Sequence, residues 1–440
     1  MATSFTPLLQ VFARSMTRPT RATLTTLLAG WICAPRRTIL GMVRAAGAGR
    51  HHAAFHRLFA SAAWSVDRVG LAAFDLFSAG TKIASVAVDD TLLPRRGLKV
   101  FGTGMHRDPL LSSRGHTSFA WGHCWVVLGV VVESRHVPGR RFTLPVLCRL
   151  YLNRASAAKW KRTYRKKTEL TLDMLRIVER HVGPEDKRLH LLGDAAYTAP
   201  AVLAQMPDSV AVTGRVVSNV RLCEPPPPRR PGQNGRPRIR GASLPNPRQM
   251  LAAKGLPRRT LKLYDGPAYQ VRLAEGTGRF HKAPHRRVKV VAIEHLRGGR
   301  GVEAFYTAPA ASDGEAPGAE TILRRYSWRW SIEVTFRDAK QRLGIAQPQN
   351  RTTKAARRTA ATGFLLYGLV VWWHETVRPK PADSLRDWSG KSGASFADML
   401  AALRLECLET TARTGSPTPA REPGVRKLWD RLKTLVILAA

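Results

Sequence analysis

The sequence predicts an α/β protein in which a layered strand-and-helix domain is interrupted by a basic, partly β insertion. A helical domain precedes it and a helical tail follows. From Lys82 onward short apolar runs alternate with helical patterns, as stacked layers of sheet and helix require. Before them, residues 1–80 carry apolar side chains at three- and four-residue spacing, the helical period. After Arg215 the composition turns abruptly basic and rich in proline, which marks turns and an inserted segment.

Within residues 1–80 the helical stretches are Pro7–Phe12, Ala22–Trp31, Thr38–Ala46 and His52–Phe77. Eight arginines and no acid precede Asp67, so these helices present a basic surface suited to DNA. The layered domain opens over 81–215. Ile83–Val88 reads as a strand ended by Asp89-Asp90-Thr91, and Trp125–Val132 and Phe142–Tyr151 as two more. A basic helix follows around Ser156–His181. Leu189–Leu192 is a short strand ending in Gly193-Asp194, followed by helical Ala199–Met206 and the strand Val210–Thr213.

Residues 216–285 read as the insertion. Arg215–Lys262 holds twelve Lys/Arg and one acid, Glu224, and includes Pro225–Pro228. Thr260–Tyr264 and Ala268–Leu273 have the look of short strands. The layered pattern resumes over 286–376 with the strands Arg287–Ile293 and Glu303–Thr307. A long helix from Ala319 to Leu343 and a hydrophobic one at Ala355–Glu375 complete it. Residues 377–440 read as a basic helical tail.

The charge narrows the class of partner. Lys+Arg number 71 against 31 Asp+Glu, a formal net charge of +40 on a chain with 44% hydrophobic residues. A foldable chain with that excess repels itself unless a polyanion neutralises it, which disfavours a generic metabolic enzyme. The longest apolar run, Gly363 to Trp373, has eleven residues, short of the roughly 20 that span a bilayer. No membrane partner is therefore expected. Met1–Thr20 lacks a continuous apolar segment, so no secretory signal is read there. Five cysteines stand singly without a C-x-x-C pair, consistent with a reducing cytoplasm and with neither a disulfide framework nor a structural zinc site.

Against this scarcity, particular acids stand out. Asp89 and Asp194 each end an apolar strand, where carboxylates converge above a sheet and can hold divalent ions. A third acid lies in Tyr326-Ser-Trp-Arg329-Trp-Ser-Ile-Glu333-Val-Thr-Phe-Arg337-Asp-Ala-Lys340. On a continuous helix Tyr326, Arg329, Glu333 and Lys340 would share an arc of roughly 60°. Trp328, Trp330, Ile332 and Phe336 around them imply a helix packed on several sides. An acid mixed with Arg, Lys and Tyr on such a stripe suits a metal ligand beside phosphate-binding groups.

The spacing Y-(2)-R-(3)-E-(6)-K resembles the signature of DDE transposases of bacterial insertion sequences, nearest the insertion-sequence-four superfamily. Val88-Asp89-Asp90-Thr91 resembles the first-aspartate block of that family, and Leu192-Gly193-Asp194-Ala195-Ala196-Tyr197 the second. The likeness covers about 83–345 in the right order. It implies a ribonuclease H-like domain with Asp89, Asp194 and Glu333 as catalytic, metal-binding triad. Tyr326, Arg329, Arg337 and Lys340 would bind DNA. Two Mg²⁺ ions, replaceable by Mn²⁺, would serve in-line displacement at phosphorus, first cutting DNA and then joining the 3′-OH to a target. The expected partners are transposon terminal inverted repeats and target DNA, with a homodimer synapsing two ends in the cytoplasm on the bacterial nucleoid. A ribonuclease H-like nuclease without strand transfer, and a non-catalytic DNA-binding relative, are the alternative readings.

Asp89 is favoured over Asp90 because the Asp-x-Thr order fits it, and alternation sends Asp90 to the other face of the strand. Some relatives flip a base onto a tryptophan in the insertion. No Trp occurs within 216–285, so Tyr264, Tyr269 or Phe280 would have to serve. His106, Asp108, His116 and His123 fit no zinc spacing, and Cys124 reads as packing. Lys159–Lys167 interleaves bases with aromatics and could track phosphates or form a solvated face.

Overall fold

The computed structural model describes residues 1–108, 111–113, 115–183, 187–229, 234–262, 268–296, 301–377 and 391–415. Tyr264 and most of the proposed tail lie outside them. In chain order, a 3₁₀ helix at Thr6–Ser15 is followed by α1 (Arg18–Cys33), α2 (Ile39–Ala45), α3 (His52–Ala60) and α4 (Val66–Phe77). Then come β1 (Ile83–Pro94), β2 (Gly104–Arg107), β3 (Phe119–Glu133), β4 (Arg141–Tyr151) and α5 (Arg154–Lys159). Next are α6 (Lys167–Val182), β5 (Arg188–Gly193), α7 (Pro200–Leu203), β6 (Val210–Val216), β7 (Leu222–Cys223) and β8 (Ser243–Leu244). They lead to α8 (Pro247–Leu251), β9 (Arg258–Leu261), β10 (Tyr269–Phe280), β11 (Ala283–His295) and β12 (Val302–Ala308). The last elements are α9 (Ala319–Trp328), α10 (Ser331–Gln341), α11 (Thr353–Thr376) and α12 (Phe396–Gly415). The protein is thus mixed α/β, as expected.

The chain forms two compact units. One comprises Met1–Ala79, Asp90–Lys166 and Ile332–Ala440; the other comprises Gly80–Asp89 and Lys167–Ser331. In the first, β2, β3 and β4 run antiparallel, and α4 and α11 pack on β4. Helix α11 is buried along nearly its whole length, from Ala355 to Glu375, so it can be apolar all round without crossing a membrane. Among the described residues no helix is long and apolar enough to span one. The N-terminal helices pack against it: α3 touches α11, and the buried Arg358 donates to the carbonyls of Ala62 at 2.8 Å and Trp64 at 2.6 Å. That guanidinium lies just past the C-terminal end of α3, where orphan carbonyls and the helix dipole favour a cation.

The second unit is a mixed sheet in the order β1-β5-β6-β12-β11-β10-β7-β8, with β9 also on β10. Strands β1, β5 and β6 are parallel; the rest are antiparallel. Parallel strands covered on both faces need continuous apolar runs, and β5 is buried from Leu189 through Gly193. The hairpin β10–β11 crosses residue 285, pairing Val271 to Phe280 with His295 to Ala283. The β-rich segment expected before that position is therefore hydrogen-bonded into the same sheet as β6 and β12.

Candidate active site

Register brings the two strand-borne aspartates together. Val88 of β1 pairs with Gly193 of β5 in parallel, so Asp89 and Asp194 are the next residues on neighbouring strands. Strand β1 itself runs on to Pro94; its pairing with β5, not the strand, stops at Val88. Asp89 and Asp90 fall in different units. Asp90 accepts from the buried Cys124 thiol at 3.4 Å, and Cys124 is a packed core residue as expected.

The turn carrying Asp194 is built by close approach. Asp194 Oδ1 accepts from the amides of Ala196 at 2.9 Å and Tyr197 at 3.2 Å, an Asx turn. Thr198 donates to the Asp194 carbonyl through both its amide, 3.0 Å, and its hydroxyl, 2.7 Å. The buried Tyr306 hydroxyl donates to the Thr198 carbonyl at 2.6 Å. Gly193 and Gly214 are paired across β5 and β6, and Thr198 lies over both. A Cβ at Gly214 would stand 2.0 Å from Thr198 Oγ1, and one at Gly193 2.7 Å from Thr198 Cγ2. Only glycine lets the turn pass this close. Sequence reading missed Tyr306, Thr198 and these glycines; the available signal was a Gly at the end of β5 and another near the end of β6.

Arg329 completes this group from the end of α9. Its Nη1 lies 3.1 Å from Asp89 Oδ2, and its guanidinium stands 5.7 Å from the Tyr326 ring centroid. Tyr326 packs on Phe305 with ring centroids 4.7 Å apart. Burial raises its hydroxyl above the ordinary phenol value, opposed by Arg329 and Arg215 and reinforced by Asp194. Arg329 was expected on a phosphate; in the structure it contacts a carboxylate.

The long helix expected over Ala319–Leu343 is two helices. The chain tightens where Arg329 N bonds Tyr326 O at 3.1 Å and Trp330 N bonds Ser327 O at 3.0 Å. Ser331 Oγ then donates to Trp328 O at 2.8 Å, a local side-chain bond that competes with the helical ladder. Tyr326 and Arg329 thus belong to one helix end, and Glu333, Arg337 and Lys340 to the next helix. Trp330, expected to be packed, is 53% exposed at the break.

Helix α10 belongs to the first unit from Ile332 onward. Ile332, Phe336 and Ala339 are buried, and Thr335 donates to the Thr143 carbonyl of β4 at 2.8 Å. Glu333, Arg337 and Lys340 follow at i, i+4 and i+7, one face of the helix. Glu333 and Lys340 are half-buried and Arg337 is exposed. Arg337 lies 3.2 Å from Asp338. Burial lowers the Lys340 ammonium below its ordinary value, with Asp108 opposing.

The donors in the second unit fit a hard divalent cation. Carboxylate oxygens are the ligands such ions take, and Asp89 and Asp194 bring two carboxylates to adjacent strands. Oδ2 of Asp194 accepts no hydrogen bond from the described residues, leaving it open to a further ligand. The histidines fit none of this. His123 is buried, accepts from Arg95 at 3.2 Å and contacts the Phe101 carbonyl at 2.8 Å, and burial drives its pKa down to about 3. His106 lies against Tyr151. Lys159 donates to the Leu98 carbonyl at 2.8 Å.

Two carboxylates on adjacent strands of a mixed sheet beside an arginine are the kind of groups that metal-dependent phosphoryl transfer uses. The family comparison agrees: the model of the DDE superfamily endonucleases matches residues 7–272, more than half of the chain. The chain belongs to that family. It is accordingly of the nuclease and transposase class, with DNA as the implied substrate and divalent metal in general use. The match spans the N-terminal helices, Asp89 and Asp194, and ends before Tyr326, Arg329, Glu333 and Lys340. No curated protein matches the chain.

Proposed function

We propose that this DDE superfamily endonuclease is a transposase that cuts the terminal inverted repeats of its element and joins the freed 3′-OH to target DNA. The observation that carries the reading is the register that makes Asp89 and Asp194 neighbours at the end of β1–β5 pairing. By family likeness Glu333 is the third carboxylate, set in the first turn of α10. Two Mg²⁺ ions, or Mn²⁺ in their place, would be held by these carboxylates and would lower the barrier to in-line displacement at phosphorus.

The chain's own groups then have defined tasks. The Asp194 turn, tied down through Thr198 and Tyr306, keeps its carboxylate in one orientation and so spends no binding energy on ordering it. Arg329 neutralises Asp89 and is within reach to follow a phosphate when the carboxylate is otherwise engaged. Lys340 and Arg337, on the Glu333 face of α10, supply phosphate contacts without reading sequence. Tyr326 positions a backbone phosphate or nucleotide near the cut. The acid-free N-terminal helices hold the end DNA, and a homodimer brings two ends together on the nucleoid in the cytoplasm.

The test is cleavage and joining on duplexes carrying the repeats that flank the gene, with Mg²⁺ or Mn²⁺ and a supercoiled target. Joined product is expected from the wild-type chain and none from Asp194→Ala or Glu333→Ala. Cutting without joined product would identify a nuclease instead. Binding with neither activity would identify a non-catalytic relative.

A further inference from the structure

A second cluster of ligating side chains lies within the first unit, away from the acids discussed above. His374 and Glu375 occupy the last turn of α11, and His136 lies on the connection between β3 and β4. One ligand atom from each falls within 4.8 Å of the other two; among the described residues this is the one such group of His, Cys, Asp or Glu. His374 and Glu375 are 1% and 5% exposed.

The electrostatics favour a cation here. A carboxylate buried at the C-terminal end of a helix faces the negative end of the dipole and is unfavourable there by itself. Glu375 is met there by two donors: Ser134 Oγ donates to its Oε2 at 3.0 Å and Arg135 N at 2.8 Å. Those two donors orient the carboxylate as outer partners do at metal sites.

The protein's own bonds do not close the cluster. His374 Nδ1 to Glu375 Oε1 and His136 Nε2 to the His374 carbonyl are both 3.4 Å, long for a hydrogen bond. Two ligands about 2.0–2.1 Å from one tetrahedral Zn²⁺ stand roughly 3.3–3.4 Å apart, the separation of His374 Nδ1 and Glu375 Oε1; the His136 contact is to a backbone carbonyl, not to a ligand atom. The Nε2 atom of His374 is buried and has no hydrogen-bond partner among the described residues.

We propose that His136, His374 and Glu375 form a site for a divalent first-row transition metal, Zn²⁺ by preference, that fastens the β3–β4 connection to the end of α11. Two imidazoles with one carboxylate select Zn²⁺ over Mg²⁺, which takes oxygen ligands. Three protein ligands leave the fourth position to water. The site is independent of the transposase reading, since it shares no residue with it.

The experiment uses the full chain bearing Asp194→Ala, which weakens metal uptake at the acids, stripped with chelator and titrated with Zn²⁺ by calorimetry. One equivalent is expected, together with a raised thermal midpoint. Adding His136→Gln, on the half-buried connection, should cut the affinity by roughly 100-fold or more, and Glu375→Gln likewise. Co²⁺ in place of Zn²⁺ should show imidazole-ligated d–d absorption that His136→Gln removes. No uptake by the Asp194→Ala chain, or equal uptake after His136→Gln, overturns the proposal.

Discussion

Asp89 and Asp194 each follow the Val88–Gly193 pair of two parallel strands, Asp89 within β1 and Asp194 in the turn that leaves β5. The pairing that ends at Val88 and Gly193 brings these two residues side by side. Asp89→Asn and Asp194→Asn should therefore each depress metal-dependent DNA cleavage on the order of 10⁴-fold, with DNA binding retained. Asp90→Asn, one residue along β1 and bonded to Cys124, should stay within a few-fold of wild type. Nicking rates on end DNA measure all three, and an inactive Asp90→Asn with an active Asp89→Asn would reverse the assignment.

The Asp194 turn depends on a steric allowance that can be withdrawn. Gly214→Ala places a Cβ 2.0 Å from Thr198 Oγ1, so Thr198 must move and take the Asp194 carbonyl contact with it. A stability loss of about 1–3 kcal/mol is expected, and activity should fall further than stability. Thr198→Ala in the same chain removes the obstructing hydroxyl and should restore part of the stability. Urea midpoints of the two single variants and the double variant give the coupling.

Arg329 holds Asp89 and so competes with a metal for the same oxygen. Arg329→Ala should lower maximal cleavage on the order of 10²–10³-fold while shifting half-saturation to lower Mg²⁺. Arg329→Lys should recover only part of the rate, because an ammonium lacks the planar fork. A rate loss with unchanged Mg²⁺ dependence would place Arg329 on DNA alone.

Two buried histidines make stability fall in acid. Burial holds His123 and His190 down to about 3 from an ordinary 6.5, with Arg95 adding to the shift at His123 and Arg325 at His190. Between those values the unfolded chain binds protons that the folded chain refuses. Their contribution is complete above pH 6.5 and is lost as pH falls towards 3. The loss should be on the order of 2–4 kcal/mol for each. Urea midpoints from pH 7 to pH 4 report it, and a flat profile would contradict neutral burial.

Much of the candidate site was legible because it rests on local rules. An apolar run that stops at an aspartate marks a change in what the strand packs against, and this located Asp89, inside β1 where its pairing with β5 stops, and Asp194, just beyond β5. The helix holding Glu333, Arg337 and Lys340 was equally visible from its spacing. The stripe that joined them to Tyr326 and Arg329 was not. Periodicity assumes an unbroken ladder, and the tight bonds at Arg329 and Trp330 with the Ser331 hydroxyl break it. The exposed Trp330 follows from the same break.

What the sequence determined by itself is therefore the basic character of the chain, its α/β class and the acids that close its apolar runs, all consequences of neighbours along the chain. Tertiary structure alone decided which acid meets which group. Arg329 reaches Asp89 across 240 positions, and Gly193 pairs with Gly214 where Thr198 passes close over both. Such partners are chosen by strand register and close packing, which act through space and leave no periodicity to read.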